Sequence, residues 1–474
     1  MKTIRKPKIG LVGMMATPFR GDKEGFFAAD AQDMINLARD WHFDLKVIAE
    51  GIYNFENAAS AAQVLSDWGA DYVLVQSSSF AGGDFIRPFA SMGVEIGVWG
   101  VPEGPPGPEG GLPLNSFTGM NLYNSILRTV LGIENVKWFF GRPSDERFKS
   151  RFQVTVKALR ALVNLRGAQI GLIGGVAPGF DNLIIDPRDY EGKLGIRVRS
   201  LELDTVLSIA RGLKDQEQIE NKADTFIHPG VRLAKNSRAH LMELARLGLA
   251  FEQLVEEYDF DALAISCWPR FQAEPGVAVC SLLGQLNTLG LPAACEGDIP
   301  SAVAMLALRL LTGGDPITLM DLVSVDAEDD SALLWHCGPT SPILADEGGV
   351  EMGSLWLFDK ADGSTQGLHN NMRLRPGRVT LMGLTPSLDG MLVVSGQIDN
   401  KKPSYKGSRG WLMDIKVNTQ AVSVPELVET VMVSGFQHHY PLAYGNLAEA
   451  CLELGTLIGI PPISRQDNTT YLKG

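Results

Sequence analysis

The chain has 474 residues, of which 45% are hydrophobic and 20% are charged, a composition typical of a globular protein with two or three domains. The 42 basic and 55 acidic residues give a formal net charge of −13. No cluster of basic residues is dense enough to follow a phosphate backbone, so we expect no nucleic-acid partner.

No apolar run approaches the roughly 18 residues that a membrane span needs, so we expect no membrane insertion. The basic start precedes a short, glycine-broken apolar stretch, which is typical of a first strand and not of a secretion signal. We therefore expect a cytoplasmic protein.

The first part of the chain alternates between strand-like and helix-like segments. Strands are predicted at 8–13, 43–49, 71–75, 94–99 and 137–140, and helices at 24–41, 58–68 and 119–131. This alternation predicts a doubly wound parallel sheet over residues 1–165. Residues 101–111 are rich in Pro and Gly, and we expect a long surface loop there.

Around residue 165 the pattern restarts, because 169–175 repeats the opening strand and its glycine turn. A second α/β domain is predicted over 166–340, with helices at 238–247 and 249–257 and a strand at 262–266. Neither glycine turn completes the Gly-x-Gly-x-x-Gly pattern of dinucleotide-binding proteins, so we do not expect NAD.

Beyond residue 340 the segments become short and alternating, with Gly, Asp and Asn turns between them. Strands are predicted at 379–382, 391–394 and 410–417, and a last helix at 446–458 that packs back on the second domain. The predicted fold class is α/β, with two doubly wound parallel-sheet domains followed by a smaller, mainly β domain over 341–474.

Two acidic residues each close an apolar run of the second domain. The run 289–294 leads to Glu296, the run 316–320 leads to Asp321, and the segment between them has helical spacing. A parallel strand–helix–strand unit would bring both carboxylates to the carboxyl edge of one sheet, on strands about 4.8 Å apart. Glu296 and Asp321 could therefore share one divalent cation.

The chain has only seven histidines to complete such a site. The candidate is the pair His438-His439, in a glycine- and aromatic-rich turn before the last helix. Adjacent side chains point to opposite sides of an extended chain, so we expect only one of the two to bind the metal. His336 could bind the metal or the substrate, support the metal site from behind, or be a core histidine.

Five cysteines lie far apart in the sequence, and no two form a Cys-x-x-Cys pair. We expect reduced thiols and no thiolate zinc site. Cys295, beside Glu296, is interpreted as a packed small residue. The cysteines are Cys267, Cys280, Cys295, Cys337 and Cys451.

The second half of the chain contains a strand ending in Cys295-Glu296-Gly297-Asp298, a helix, Gly313-Gly314, a strand with Asp321 and a late His438-His439 pair. This order of features resembles the L-fucose isomerase and L-arabinose isomerase family. The resemblance covers the second half of the chain. It implies an aldose–ketose isomerase in which Glu296, Asp321 and one of the two histidines hold Mn²⁺, with Mg²⁺ or Co²⁺ as substitutes. It also implies a homohexamer in which a neighbouring subunit completes the active site.

Aldose–ketose isomerisation moves one proton between two carbons and another between two oxygens through a cis-enediol. A divalent cation would stabilise the developing oxyanion, and Glu296 and Asp321 would move the protons. The family resemblance implies a fucose- or arabinose-type sugar or an anionic derivative such as sulfoquinovose. In the segment after strand 262–266, Trp268 could face the sugar or pack in a loop, and Arg270 could bind a hydroxyl or an anionic group.

Two other functions stay open from the sequence. A non-catalytic sugar-binding or sensor protein could also be built on two α/β lobes, although a pair of carboxylates is more than binding requires. A metal-assisted hydrolase could use the same cation to activate water.

Overall fold

A computed structural model describes residues 2–106, 110–358, 367–400 and 402–467. The chain divides into two compact units, Arg5–Val163 and Asn164–Gly474, and Met1–Ile4 belongs to the second. The boundaries at 165 and 340 stay predictions. Part of the predicted surface loop, residues 107–109, lies outside the described residues, and residues 101–106 form no helix or strand.

The unit Arg5–Val163 contains one sheet of five parallel strands in the order β2-β1-β3-β4-β5. Its strands are β1 (Lys8–Met14), β2 (Asp44–Val47), β3 (Tyr72–Ser77), β4 (Glu95–Gly100) and β5 (Lys137–Phe140). Its helices are α1 (Lys23–Trp41), α2 (Phe55–Trp68), α3 (Arg87–Ala90), α4 (Ser116–Ser125) and α5 (Glu146–Leu165), the last of which runs two residues past the unit boundary. The central strands β1 and β3 are almost fully buried, as expected for a sheet covered on both faces.

The unit Asn164–Gly474 begins with a second parallel sheet, in the order β10-β9-β6-β7. The strands of this region are β6 (Gln169–Ile173), β7 (Arg197–Leu201), β8 (Val231–Leu233), β9 (Ala262–Ile265) and β10 (Ala293–Ala294). The helices are α6 (Pro187–Leu194), α7 (Leu203–Gly212), α8 (Gln216–Asp224), α9 (Arg238–Tyr258), α10 (Arg270–Ala273), α11 (Cys280–Thr288) and α12 (Ile299–Thr312). Two helices predicted at 238–257 are thus the single helix α9.

A third, mixed sheet of ten strands includes β8 and everything from β11 onward. Its further strands are β11 (Thr318–Asp326), β12 (Ser331–His336), β13 (Val350–Gly353), β14 (His369–Arg373), β15 (Gly377–Leu384), β16 (Met391–Asp399), β17 (Ser408–Val417), β18 (Gln420–Ala421) and β19 (His439–Tyr444). The helices are α13 (Val424–Ser434) and α14 (Ala448–Ile458), and α14 packs against α12, β15 and β16. The predicted fold class is confirmed.

The mixed sheet closes on itself. Strand β12 pairs with β11 on one side and with β17 on the other, and both pairings are antiparallel. Together with β19, β15 and β16, these strands form a closed ring of six. Closure removes the unpaired edges of these six strands and fixes their register.

The predicted position of the Asp321 strand is wrong. Asp321 was expected at the end of a strand parallel to the one that leads to Glu296, but β11 continues past it to Asp326 and is antiparallel to β12 and β19. Helix α12 therefore carries the chain from one sheet to another. Apolar periodicity alone gives the same strand–helix–strand pattern in either case, because it does not specify the partner of a strand.

Glu296 lies in a tight turn between β10 and α12. Glu296 and Gly297 both have left-handed backbone conformations, with φ of 60° and 75°. A segment distant in sequence stabilises this turn, because the backbone carbonyl of Glu296 accepts a hydrogen bond from the Ala177 N–H at 2.9 Å. Asp298 then caps α12 by accepting the N–H of Ser301 at 2.9 Å.

Among the described residues, no helix combines the length and the apolar character that crossing a membrane would require.

We predict that Gly297→Ala destabilises the protein strongly. A Cβ at this position would lie 2.3 Å from the carbonyl oxygen of Gly175, in addition to the strained φ. We expect the free energy of unfolding, measured by urea denaturation, to fall by roughly 3 kcal/mol or more. Gly175→Ala is the matched control, because Gly175 has the same φ of 75° but nothing within 4 Å of its added Cβ. The control should cost only about 1 kcal/mol, and equal losses would contradict the packing argument.

Candidate active site

The centre of the site is the imidazole of His439, the first residue of β19. The ring is buried, and its Nδ1 lies 2.7 Å from Oδ2 of Asp298, which is also buried. A carboxylate accepts hydrogen bonds, so Nδ1 carries the proton and Nε2 keeps its lone pair, with Sγ of Cys295 3.6 Å away. A carboxylate that fixes the tautomer in this way is the usual support of a metal-binding histidine.

Glu296 and Asp321 both lie close to this Nε2 nitrogen. Oε2 of Glu296 is 3.5 Å from Nε2 of His439, and Oδ1 of Asp321 is 3.8 Å from it. Glu296 comes from the turn after the parallel sheet, whereas Asp321 faces His439 directly across the β11–β19 ladder. The structure thus brings the two predicted carboxylates together, although from two different sheets.

His438 lies on the same side as His439, and the expectation of opposite directions is wrong. The two ring centroids are 4.1 Å apart, and Nε2 of His438 is 3.1 Å from Oε2 of Glu296. The strand begins only at His439, so His438 is in a bend and the alternation of an extended chain does not apply to it. Burial lowers the pKa of His438, but the hydrogen bond to Glu296 and the charge of Asp321 outweigh burial and raise the pKa overall.

His336, at the end of β12, lies beside His439 and is buried. Its ring stacks on that of His439 with centroids 5.6 Å apart. Nδ1 accepts the backbone N–H of Cys337 at 2.8 Å, so the neutral ring carries its proton on Nε2. That N–H points at Sγ of Cys295, 3.3 Å away. His336 therefore supports the site from behind and presents no lone pair to a cation.

Trp268 and Arg270 differ in their relation to the site. Trp268 is 37% exposed and makes an edge-to-face contact with Phe180, whose ring lies 5.4 Å from that of His438. Arg270 instead forms ion pairs with Asp204 at 2.7 Å and Glu274 at 2.6 Å. Phe180 thus lies between Trp268 and His438, whereas the charge of Arg270 is paired with two carboxylates.

Sequence reasoning missed two residues of the site. Asp298 was noted only as part of the Glu-Gly-Asp sequence, although a buried carboxylate beside a candidate metal ligand is a recognisable support. Phe180 follows β6, and a position beyond the carboxyl end of a parallel strand was the only signal that could have indicated it.

The donor atoms fit a hard divalent cation. The ligand atoms of Glu296, His438 and His439 lie within 4.8 Å of one another. Among the residues that the structure describes, Oδ1 of Asp321 is buried without a hydrogen-bond partner. This group offers one carboxylate and two imidazoles, and Oδ1 of Asp321 lies 3.8 Å from Nε2 of His439. Carboxylate oxygens with imidazole nitrogen suit Mn²⁺ or Mg²⁺ better than a soft metal.

A second group of donors is less suitable. Cys295, His336 and His439 also have donor atoms within 4.8 Å of one another. The proton on Nε2 of His336 leaves this group with only two available donors. The cluster of Glu296, His438 and His439, with Asp321 beside it, is therefore the better candidate metal site.

Curated proteins similar to this chain are sulfoquinovose isomerases. The protein from Priestia aryabhattai is 28% identical over 401 residues, which cover 82% of this chain and 84% of that protein. The protein from Alkalicoccus urumqiensis is 28% identical over 83% of this chain and 86% of its own length, and one from Clostridium sp. (strain MSTE9) is 25% identical over 74% and 76%. The chain is an aldose–ketose isomerase. The sensor and hydrolase alternatives are thereby set aside.

Other comparisons add little. No protein-family model matches the chain. A periplasmic solute-binding protein from Actinobacillus succinogenes with bound D-allose is 13% identical and covers 65% of this chain and 93% of that chain. Its TM-score of 0.18 is too low to support a conclusion about fold or ligand.

We predict that His438 of the metal-free isomerase titrates above the usual pKa of histidine, and that Glu296→Gln lowers this pKa. The charged imidazole is stabilised by Glu296 and Asp321. Because the folded pKa is raised, protonation stabilises the fold below the unfolded pKa of about 6.5, and this contribution disappears as the pH rises through the folded pKa. An NMR titration measures the pKa of His438 in the wild type and in Glu296→Gln. Glu274→Gln, a surface control, should leave the His438 pKa unchanged, and an unchanged pKa in Glu296→Gln would contradict the assignment.

Proposed function

We propose that the protein is a Mn²⁺-dependent isomerase of sulfoquinovose, related in its site to the L-fucose and L-arabinose isomerases. The observation that supports the site is the position of Glu296 and Asp321 around the free nitrogen of His439. The substrate is inferred from the names of the relatives, which match more than four fifths of the chain in three of the four cases.

Glu296, Asp321 and His439 would hold the cation, with Mg²⁺ or Co²⁺ as substitutes. His439 is preferred over His438 because Asp298 fixes its tautomer, whereas His438 is 39% exposed and hydrogen-bonded to Glu296. When bound, the cation supplies Lewis-acid stabilisation of the negative charge that develops on the two adjacent sugar oxygens.

The carboxylates perform the proton transfers. One of Glu296 and Asp321 accepts the proton from C2 and returns it to C1, and the other moves the hydroxyl proton. Such general acid–base catalysis contributes about 10²–10⁴-fold per group. Oδ1 of Asp321 has no hydrogen-bond partner in the described part of the chain and is available to accept a proton, and His438 holds the Glu296 carboxylate in place.

The aromatic residues beside the site would bind and shield the sugar. Trp268 and Phe180 form an apolar pair next to His438, which can pack against the C–H face of an open-chain sugar and exclude water. Arg270 has two carboxylate partners, so we expect another cationic group to meet the sulfonate. In the proposed cytoplasmic homohexamer, a neighbouring subunit supplies part of the active site.

A panel of sugars tests the proposal. We expect the Mn²⁺-loaded protein to convert sulfoquinovose to a ketose of unchanged mass, followed by NMR, and to act less on L-fucose and L-arabinose. Glu296→Gln should lose activity by about 10²-fold or more, while the surface variant Glu274→Gln keeps it. Higher activity on L-fucose or L-arabinose would reject the substrate, and full activity after EDTA treatment would reject the metal.

We predict that Asp298→Asn weakens Mn²⁺ binding by about 10–100-fold. Asparagine still caps α12, so the fold is kept, but it no longer favours the tautomer with a free Nε2 on His439. Equilibrium dialysis with Mn²⁺ measures this affinity without any substrate. An affinity equal to that of the wild type would show that Asp298 does not support the metal site.

A further inference from the structure

Four of the five cysteines, scattered in the sequence, gather around His336. Sγ of Cys280 lies 3.4 Å from Sγ of Cys337, and Sγ of Cys337 lies 3.2 Å from Nδ1 of His336. On the other side of the ring, Nε2 contacts Sγ of Cys295, which also interacts with Cys267. The proposed isomerase chemistry uses none of these thiols.

We propose that Cys280 and Cys337 form a disulfide when the protein meets a hydroperoxide, and that this modification slows the isomerase. The sulfurs of a disulfide are about 2.05 Å apart, so the observed contact requires an approach of only about 1.4 Å. Cys337 is partly exposed at the end of β12, whereas Cys280 is buried at the start of α11. Cys337 is therefore the thiol that a peroxide reaches first.

The chemistry is balanced with one hydroperoxide per pair. The partly exposed Cys337 thiol loses its proton to solvent, and the thiolate attacks the outer peroxide oxygen. The O–O bond breaks, an alcohol or water leaves with a proton from solvent, and Cys337 becomes a sulfenic acid. The Cys280 thiol then attacks this sulfur, the S–O bond breaks, and a second water leaves. Contact with Cys280 and burial raise the pKa of Cys337, so we expect slow oxidation.

The cross-link acts on the site through the residue that holds His336. The backbone N–H of Cys337 fixes Nδ1 of this ring, and the opposite nitrogen contacts Cys295. Cys295 precedes Glu296 in the turn, and its sulfur lies 3.6 Å from Nε2 of His439. Movement of Cys337 toward α11 would therefore displace His336 and, through it, Cys295, which lies next to both Glu296 and His439.

Oxidation of the Mn²⁺-loaded protein by hydrogen peroxide tests the proposal. We expect the free thiols, counted after denaturation, to fall from five to three, with a tryptic peptide pair joining Cys280 to Cys337. Activity should fall by about tenfold or more, as a displacement near 1 Å can cause, and dithiothreitol should restore it. The thiol count and the peptide pair do not depend on activity, so they remain readable if the proposed substrate is wrong.

Matched variants decide between this pair and general damage. Under peroxide, Cys280→Ala should keep its activity and form no cross-linked peptide pair, because Cys337 can then go no further than the sulfenic acid, which dithiothreitol reduces. Cys451→Ala should behave as the wild type. Cys451 is buried in α14 without a sulfur contact among the described residues. Phenylarsine oxide, which bridges two neighbouring thiols, should bind the wild type and not Cys280→Ala. Five remaining thiols, a Cys267–Cys295 cross-link, or equal loss of activity in Cys280→Ala would overturn the proposal.

Discussion

The buried hydrogen bond between Asp298 and His439 is the interaction on which the site depends. It removes the proton from the nitrogen that faces Glu296 and Asp321, and it fixes the orientation of the ring. The same carboxylate also caps α12, so one group connects the start of a helix to the first residue of β19. The chemistry of the site and the packing of two elements from different sheets therefore share one contact.

The site is assembled where the parallel sheet meets the closed ring. The parallel sheet supplies the turn with Glu296 and, beyond β6, the loop with Phe180. The ring supplies His336, Asp321 and His439, which lie on the neighbouring strands β12, β11 and β19 in that order. A tight turn with two left-handed residues and a strand ladder thus hold the two carboxylates within 3.8 Å of one nitrogen.

Local sequence patterns were enough to predict helix α12 and the two acidic residues of the site. Helix α12 was visible from its apolar spacing and its closing glycines, and the acidic residues were visible because each follows an apolar run. The partner of β11 was not predictable, because alternation specifies which face of a strand is buried and not which strand lies beside it. The shared direction of His438 and His439 depended on a bend one residue before β19. The clustering of the thiols depended on long-range packing, which spacing along the chain does not contain.

Closure of the six-stranded ring limits how this protein can vary. Side chains alternate across a strand, so a one-residue insertion within β11 before Asp321 would turn that carboxylate to the other face of the ladder. An open sheet could absorb such a slip at its edge, but each strand of the ring is bonded on both sides. Insertions and deletions should therefore be confined to the connections between strands, and the distance between Asp321 and His439 should persist even among distant sequences that share the ring.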